Sequence, residues 1–374
     1  MTVSRSFALA LALTLAAAAV QAADVVRIGV VAPLTGPQAH LGKDIENGAR
    51  LAIDEANAAN PTLGGKAVRF EVLAEDDQAD PRPATIVGQK LVDAGVKGVV
   101  GHLNSGASIP ASKIYSDAGV PQMSPASTAI LYTRQGFKTT YRVMANDAQQ
   151  GKALGQAAVK IGRRVAVVDD RTAYGQGLAD EVAKAVVAAG GEVVGREFTT
   201  DKSTDFTAIL TSLKAKKPDV IVFGGMDPQA APMVRQMRQL GIKATFMGGD
   251  GMQSAQFLKL AGSVAEGVIG SSPGLPLEKM PGGGAFTRKF NARFGKIQIY
   301  APFAYDAATV LVAAMRKADS AEPAKYLPEL AKLSIDGVIG PISFDQYGDL
   351  KQGAVTLYQV KGGQWVPLET MDGQ

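Results

Sequence analysis

Short runs rich in β-branched residues alternate with longer amphipathic segments along this chain of 374 residues, and the alternation runs through two successive blocks. In the first block, strand-like runs at 25–32, 68–73, 98–100 and 120–124 are separated by helical patterns within 43–59, 84–94 and 107–118. In the second, strand-like runs at 164–168, 192–198, 220–223 and 246–251 are separated by helical patterns at 174–189, 203–214 and 228–240. Strands that alternate with helices of this length favour parallel sheets built from βαβ units. The sequence therefore predicts an α/β fold with two similar lobes.

The segment after the second block is too short to be an independent domain. It opens with a Gly- and Pro-rich stretch at 274–284, continues with helical patterns at 286–294 and 303–318, and ends in strand-like runs at 341–344 and 354–360. Such a segment must complete the two lobes, so the chain has to cross between them more than once. We expect crossovers near 140–145, 270–275 and 344–351. The resulting N-terminal lobe comprises residues 23–143 and 274–346, and the C-terminal lobe comprises residues 144–273 and 347–374.

The first 22 residues have the pattern of a signal peptide. Arg5 supplies a positive charge, an apolar run follows at 7–20, and small residues at Val20 and Ala22 suit cleavage before Ala23. The apolar run is shorter than the roughly 20 residues that a membrane span needs. We therefore predict a signal peptide at 1–22 and a mature protein in the periplasm, with no later span.

The composition excludes several classes of function. The chain has no Cys, which rules out disulfides, thiol catalysis and Cys-ligated metal centres. Its two His residues, His40 and His102, are too few for a histidine-rich metal site. A net charge of +4, with Lys and Arg scattered among acids, lacks the basic stripe of nucleic-acid-binding proteins. We therefore expect no metal, no cofactor and no nucleic acid.

One stretch, GSSPG at 270–274, matches the G-x-S-x-G pattern of serine hydrolases. The residue after that nucleophile must donate its backbone N–H to the oxyanion hole, and Pro273 has none. Both His also precede Ser272, whereas the hydrolase order places the catalytic His after the Ser. We interpret the stretch as a connector between the lobes and predict no catalytic residue. A secreted hydrolase or dehydrogenase is kept as the alternative from another class.

Polar loops after the predicted strands contain the candidate ligand-binding residues, because ligands of open α/β sheets bind outside the carboxyl ends of the strands. Ser105 and the run SPAST at 124–128 combine hydroxyl and backbone N–H donors, which suits a carboxylate. The same residues can serve simply as helix caps, so both interpretations stay open. In the second block, Tyr174 and Asp250 would suit an ammonium group. The pair Asp76–Asp77 and the lone His102 are predicted to be loop or packing residues.

Six segments, in order along the chain, are distinctive. They are VAPLTGP from Val31, GHLNSGASIPAS from Gly101, SPASTA from Ser124, DDRTAYGQGLA from Asp169, FMGGDG from Phe246 and IGPISFDQYGDL from Ile339. Together they resemble the leucine/isoleucine/valine-binding proteins of ABC transporters, within the type I periplasmic binding proteins. The resemblance runs from about Val25 to Val360. It implies two doubly wound parallel-sheet lobes, joined by three hinge crossovers, that close on a small ligand without catalysis.

The resemblance also implies roles for individual residues. The α-carboxylate of an amino acid would be held by Ser105, the backbone at Ala126, and Thr128. The α-ammonium would be held by Tyr174 and Asp250, although the family usually has Glu where Asp250 stands. The side-chain pocket would be lined by Leu41, Met226 and Tyr300, where some relatives have three aromatic residues.

The implied function is that of a periplasmic solute-binding component of an ABC importer. It would capture an amino acid, branched-chain or similar, and deliver it to a membrane permease, and we expect it to be a monomer. Two alternatives stay open within the class: a binder of a non-amino-acid amide or carboxylate, and a ligand sensor that acts with a membrane receptor.

Overall fold

The computed structural model describes residues 23–372, so the predicted signal peptide at 1–22 lies outside the described residues. Among the helices described within this range, none is long and apolar enough to cross a membrane. The helices and strands are numbered here in chain order.

The first block of the chain forms a six-stranded sheet. Its elements are β1 (Asp24–Ala32), α1 (Ala39–Ala58), β2 (Thr62–Leu63), β3 (Lys66–Asp76), α2 (Pro81–Asp93), β4 (Gly98–Gly101), α3 (Ser105–Asp117), β5 (Gln122–Ser124), α4 (Leu131–Arg134) and β6 (Thr140–Arg142). The strand order is β2-β3-β1-β4-β5-β6, and every pairing is parallel except the short β2–β3 hairpin.

The second block repeats this architecture. Its elements are α5 (Asp147–Ile161), β7 (Arg164–Asp169), α6 (Ala173–Ala188), β8 (Glu192–Phe198), α7 (Thr207–Ala215), β9 (Val220–Gly224), α8 (Asp227–Gln239), β10 (Thr245–Gly248), α9 (Ala255–Ala261) and β11 (Ile269–Pro273). The parallel strands lie in the order β8-β7-β9-β10-β11, which matches β3-β1-β4-β5-β6 of the first sheet.

The remaining segment contributes to both lobes. Its elements are α10 (Gly283–Phe294), α11 (Ala301–Lys317), α12 (Pro323–Ala331), β12 (Ser334–Gly337), β13 (Gly340–Ser343), β14 (Ala354–Lys361) and β15 (Gln364–Asp372). Helix α11 packs on α1, β4 and β5 of the first lobe, and β12 pairs with β13. Strands β14 and β15 extend the second sheet beyond β11 in antiparallel pairings. The chain therefore passes three times from one lobe to the other.

Buried apolar strands explain why both sheets are covered on each face. Strands β4, β7 and β9 are near-continuous apolar runs whose residues are almost all buried, as expected for central parallel strands. Helices α1 and α11 cover one face of the first sheet, and α2 and α3 cover the other. Helices α5 and α6 cover one face of the second sheet, and α7, α8 and α9 cover the other.

The GSSPG stretch differs from its prediction as a connector, because four of its residues belong to strand β11. Residues Ser271 and Ser272 are buried, and the strand pairs with β10 and β14. The Ser271 hydroxyl donates to Oε1 of Gln150 at 2.8 Å. The connection between the lobes begins only at Gly274, beyond the strand.

Candidate functional site

The predicted ligand-binding residues lie after the carboxyl ends of strands in both sheets, or at the start of α11. Their positions are Leu41 in α1 after β1, Ser105 after β4, Ala126 and Thr128 after β5, Tyr174 after β7, Met226 after β9, Asp250 after β10, and Tyr300 just before α11. All eight are at most 6% exposed. The strand order reverses direction at β1/β4 and at β7/β9, and such switch points form crevices in open sheets. The two crevices face each other across the lobes.

The first lobe contributes hydrogen-bond donors. Ser105 is the first residue of α3, and its Oγ accepts a hydrogen bond from the Ala129 N–H at 3.2 Å. In the 124–129 loop, the Ser124 Oγ accepts from the Ser127 N–H at 2.8 Å and from the Ala126 N–H at only 3.3 Å. The Thr128 hydroxyl is buried and has no hydrogen-bond partner among residues 23–372. It lies close enough to the Asp147 carboxylate to oppose the rise in the pKa of that group.

The second lobe contributes a buried carboxylate, and the first lobe reaches it. Oδ1 of Asp250 accepts hydrogen bonds from the Tyr174 hydroxyl at 2.9 Å and from Nε2 of Gln150 at 3.1 Å. Oδ2 accepts from the Tyr300 hydroxyl at 2.7 Å, across the boundary between the lobes. A carboxylate has about four lone-pair sites, so these three donors leave capacity for one further donor. Asp250 therefore remains able to accept from an ammonium N–H.

Burial controls the protonation of this cluster. It raises the pKa of Asp250, while hydrogen bonds from Tyr300, Tyr174 and Gln150 oppose that rise. Burial and the nearby Asp250 carboxylate raise the pKa values of Tyr174 and Tyr300 well above the ordinary value. Both phenols therefore stay protonated at neutral pH and act as donors to Asp250.

Two local features place the phenols against Asp250. The Asp44 carboxylate accepts hydrogen bonds from four consecutive backbone N–H groups at 298–301, at 2.7–3.0 Å, and so fixes the start of α11 where Tyr300 lies. On the other lobe, a Cβ at Gly249 would collide with the Tyr174 hydroxyl and with Leu178. Glycine at this position lets Tyr174 approach Asp250.

A second contact between the lobes lies beside the predicted side-chain pocket. Nε2 of His40 is 2.9 Å from Oδ2 of Asp227, and the Ser254 hydroxyl donates to the same oxygen at 2.5 Å. His40 precedes Leu41 and Asp227 follows Met226 in the sequence, and both of these apolar side chains are buried. Tyr300 was predicted as a pocket residue, and its hydroxyl additionally belongs to the Asp250 cluster.

Four functional candidates were not predicted from the sequence: His40, Asp147, Gln150 and Asp227. Asp147 and Gln150 lie on the buried face of α5, and both Asp147 carboxylate oxygens lack a hydrogen-bond partner among the described residues. Burial raises the pKa of Asp147 to about 8; the Thr128 hydroxyl opposes this rise, and the Asp250 charge adds to it. The sequence does contain a signal for Asp147 and Gln150, because these polar residues lie three positions apart on the otherwise apolar face of a helix.

The remaining candidates have structural roles. The imidazole of His102 is fully buried between Oδ2 of Asp77, at 2.7 Å, and the Tyr115 hydroxyl, at 3.1 Å. Asp76 accepts hydrogen bonds from the Leu34 and Gln78 N–H groups and from the Thr35 hydroxyl, and so closes a loop. Within residues 23–372, no cluster of three His, Asp or Glu side chains could hold a metal ion.

The arrangement is bipolar. The first lobe supplies the hydroxyls of Ser105 and Thr128, the second supplies the Asp250 carboxylate, and all of them are buried, as are the apolar side chains of Leu41 and Met226. Such a site matches a small molecule that carries an anionic group, a cationic group and an apolar end.

Comparisons with known proteins agree with the two-lobe α/β fold. A family model described as "Periplasmic binding protein" matches residues 25–364. The chain is 35% identical over 346 residues to Leu/Ile/Val-binding protein homolog 1 of Brucella melitensis, which covers 91% of each chain. The leucine-binding protein LivK of Thermotoga maritima superposes with a TM-score of 0.86 at 28% identity, covering 92% of this chain and 98% of that one. LivJ of Streptococcus pneumoniae, solved with isoleucine, superposes with a TM-score of 0.82 at 27% identity, covering 93% and 100%.

Proposed function

This chain belongs to the periplasmic binding proteins, within the leucine/isoleucine/valine-binding family, and on that premise we propose that it captures an α-amino acid with an aliphatic side chain between its lobes. It delivers this ligand to the permease of an ABC importer and catalyses no reaction. The relatives support this class of ligand, because they include a leucine-binding protein and a branched-chain transporter protein solved with isoleucine.

The bipolar crevice is the observation that carries the proposal. Asp250 accepts the ammonium, with the Tyr174 and Tyr300 hydroxyls holding the carboxylate in place. Ser105, Thr128 and the backbone at Ala126 bind the ligand carboxylate from the opposite lobe. An acid on one side and neutral donors on the other favour a zwitterion over a simple anion, because a lone anion would leave the buried Asp250 charge unpaired.

The apolar end of the ligand lies between Leu41 and Met226, against the ring of Tyr300. All three side chains are almost fully buried. A flexible thioether fills irregular space better than a rigid ring, so Met226 adapts this pocket to aliphatic side chains of different shape. Leucine, isoleucine and valine are the first ligands to try.

Capture between two lobes requires that they move. We propose lobes of residues 23–143 with 274–346 and of residues 144–273 with 347–374, which rotate about the three crossovers. Ligand that contacts both lobes favours the closed arrangement. Small-angle scattering should show a smaller radius of gyration at saturating leucine, and an unchanged radius would contradict this mechanism. The protein acts as a monomer in the periplasm.

A thermal-shift screen tests the ligand class, because a ligand that binds only the folded state raises the melting temperature. The screen compares the twenty amino acids with 4-methylpentanoate, the analogue of leucine that lacks the amino group. Stabilisation by branched-chain amino acids, followed by calorimetric titration of the best one, supports the proposal. Equal binding of 4-methylpentanoate and leucine would overturn the role of Asp250 and favour a simple carboxylate as the ligand.

A further inference from the structure

Among residues 23–372, Arg142 heads the largest fully buried side chains, and it contacts the 124–129 loop, to which the proposed function assigns the ligand carboxylate. It ends strand β6, where the chain leaves the first sheet. Its Nη1 donates to the Ser127 carbonyl at 2.7 Å, and its Nη2 donates to the Ala129 carbonyl at 2.9 Å. One guanidinium therefore forms hydrogen bonds to the backbone carbonyls on both sides of Thr128.

The Thr128 carbonyl, which lies between these two, is bonded by a residue at the start of α5. The Thr128 carbonyl accepts a hydrogen bond from the Asp147 N–H at 2.9 Å. Three consecutive carbonyl oxygens, at 127–129, are thus engaged by residues of the first crossover and the start of α5. A carbonyl oxygen that faced a bound carboxylate would repel it, so engaging these three carbonyls with other donors removes that repulsion.

Arg142 is itself fixed by the third crossover. Its Nε donates to Oδ1 of Asp349 at 2.7 Å, and Oδ2 of Asp349 pairs with Arg134 at 2.8 Å. The Thr133 hydroxyl donates to Asp349 at 2.8 Å and accepts from Nη2 of Arg142 at 3.0 Å. The carboxylate of Asp349 and the hydroxyl of Thr133 therefore fix the orientation of the Arg142 guanidinium behind the loop.

We propose that Arg142 is a positioning residue for the ligand carboxylate, and that Asp349 links the 124–129 loop to the third crossover. This inference rests on the proposed function, since it assigns the loop to a carboxylate. Arg142 does not touch the ligand. It acts by fixing the carbonyls at Ser127 and Ala129, so its loss weakens recognition of the carboxylate alone.

The test compares three ligands by calorimetry, titrated to high concentration so that weak complexes are measured. L-leucine carries both charged groups, L-leucinamide lacks the carboxylate, and 4-methylpentanoate lacks the ammonium. The variant is Arg142→Lys, whose single ammonium cannot bond both carbonyls and Asp349 together. The matched control is Arg134→Gln, which removes the other cation on Asp349 but has no bond to the loop.

In Arg142→Lys, the preference for leucine over leucinamide should fall by about tenfold. The preference for leucine over 4-methylpentanoate should stay as in the wild type, and Arg134→Gln should change neither ratio. An equal loss for all three ligands, or no loss, would overturn the proposal and leave Arg142 a purely structural residue. If wild-type protein binds no leucine, the proposed function fails, and this inference fails with it.

A second variant tests the proposal in case Arg142→Lys does not fold. Thr133→Val keeps the shape of the side chain and removes the hydroxyl that orients both Arg142 and Asp349. Should Arg142→Lys not fold, Thr133→Val should lower the preference for leucine over leucinamide in the same direction, by about threefold. An unchanged preference in folded Thr133→Val would then overturn the proposal.

Discussion

The Tyr300 hydroxyl donates a 2.7 Å hydrogen bond to Oδ2 of Asp250, and this bond joins the two lobes at a buried carboxylate. Tyr300 stands at the start of α11, against the first sheet, whereas Asp250 follows β10 of the second. Both residues are 1% exposed. Under the proposed function, binding of a ligand ammonium at Asp250 is coupled to lobe closure, because this carboxylate is contacted from both lobes.

Removal of the Asp250 carboxylate should strongly weaken leucine binding. Truncating one member of a buried charge pair typically costs about 2–5 kcal/mol, or roughly 30- to 4,000-fold in affinity. We therefore expect such a loss for Asp250→Ala with leucine in calorimetry, with the fold intact by circular dichroism. Asp117→Ala, which removes an exposed carboxylate at the end of α3, is the control and should bind as wild type. Unchanged affinity with a lower melting temperature would make Asp250 a structural residue only.

Loss of the Tyr300 hydroxyl should weaken both binding and closure. Tyr300→Phe keeps the ring against the side-chain pocket but deprives Asp250 of its donor from the other lobe, at a cost of about 1–3 kcal/mol. We expect roughly 5- to 150-fold weaker leucine binding and a smaller ligand-induced decrease in the radius of gyration. Tyr305→Phe, on the same helix, removes only a bond to Glu55 within the first lobe and should change neither quantity.

The Ser105 hydroxyl should matter less than Asp250. Its Oγ accepts from the Ala129 N–H, so Ser105→Ala removes a ligand donor and also leaves that buried N–H unpaired. Neighbouring backbone donors still hold the carboxylate, and we expect a loss of about 1–3 kcal/mol in leucine binding by calorimetry. Ser116→Ala, near the other end of α3, is the control. A loss as large as that of Asp250→Ala would mean that Ser105 carries most of the carboxylate recognition.

Much of the fold could be predicted from the sequence, since central parallel strands such as β7 and β9 are near-continuous apolar runs. The elements that were missed lack such runs. Strand β15 lies at a sheet edge, is mostly exposed and contains Pro367, so it has no apolar alternation. Helix α12 contains Pro328, which obscures its helical pattern.

The candidate site was predictable where its residues follow strands, because the carboxyl ends of parallel strands meet at one edge. Tyr174 and Asp250 were found in this way, and they do lie within hydrogen-bonding distance. Gln150 and Asp227 were not found. A polar residue on a helix normally faces solvent, and an acid in the first turn is ordinarily explained by the helix dipole. Only the packing of α5 and α8 against the opposite elements turns these side chains toward the crevice.

Asp147 should make the stability of the ligand-free protein depend on pH. Its pKa is raised to about 8 by burial, so the folded state holds a proton that the unfolded state releases above the ordinary value near 4. Stability contributed by this group therefore falls as pH rises toward about 8.

In Asp147→Asn this loss disappears, and the melting temperature of the variant relative to wild type should rise by several degrees between about pH 5 and about pH 9. Asp170 and Asp306, whose pKa values burial raises to about 6, titrate equally in both proteins and cancel. Asp117→Asn, at an exposed position, should follow the wild-type curve throughout. Parallel curves for Asp147→Asn and wild type would contradict a protonated Asp147.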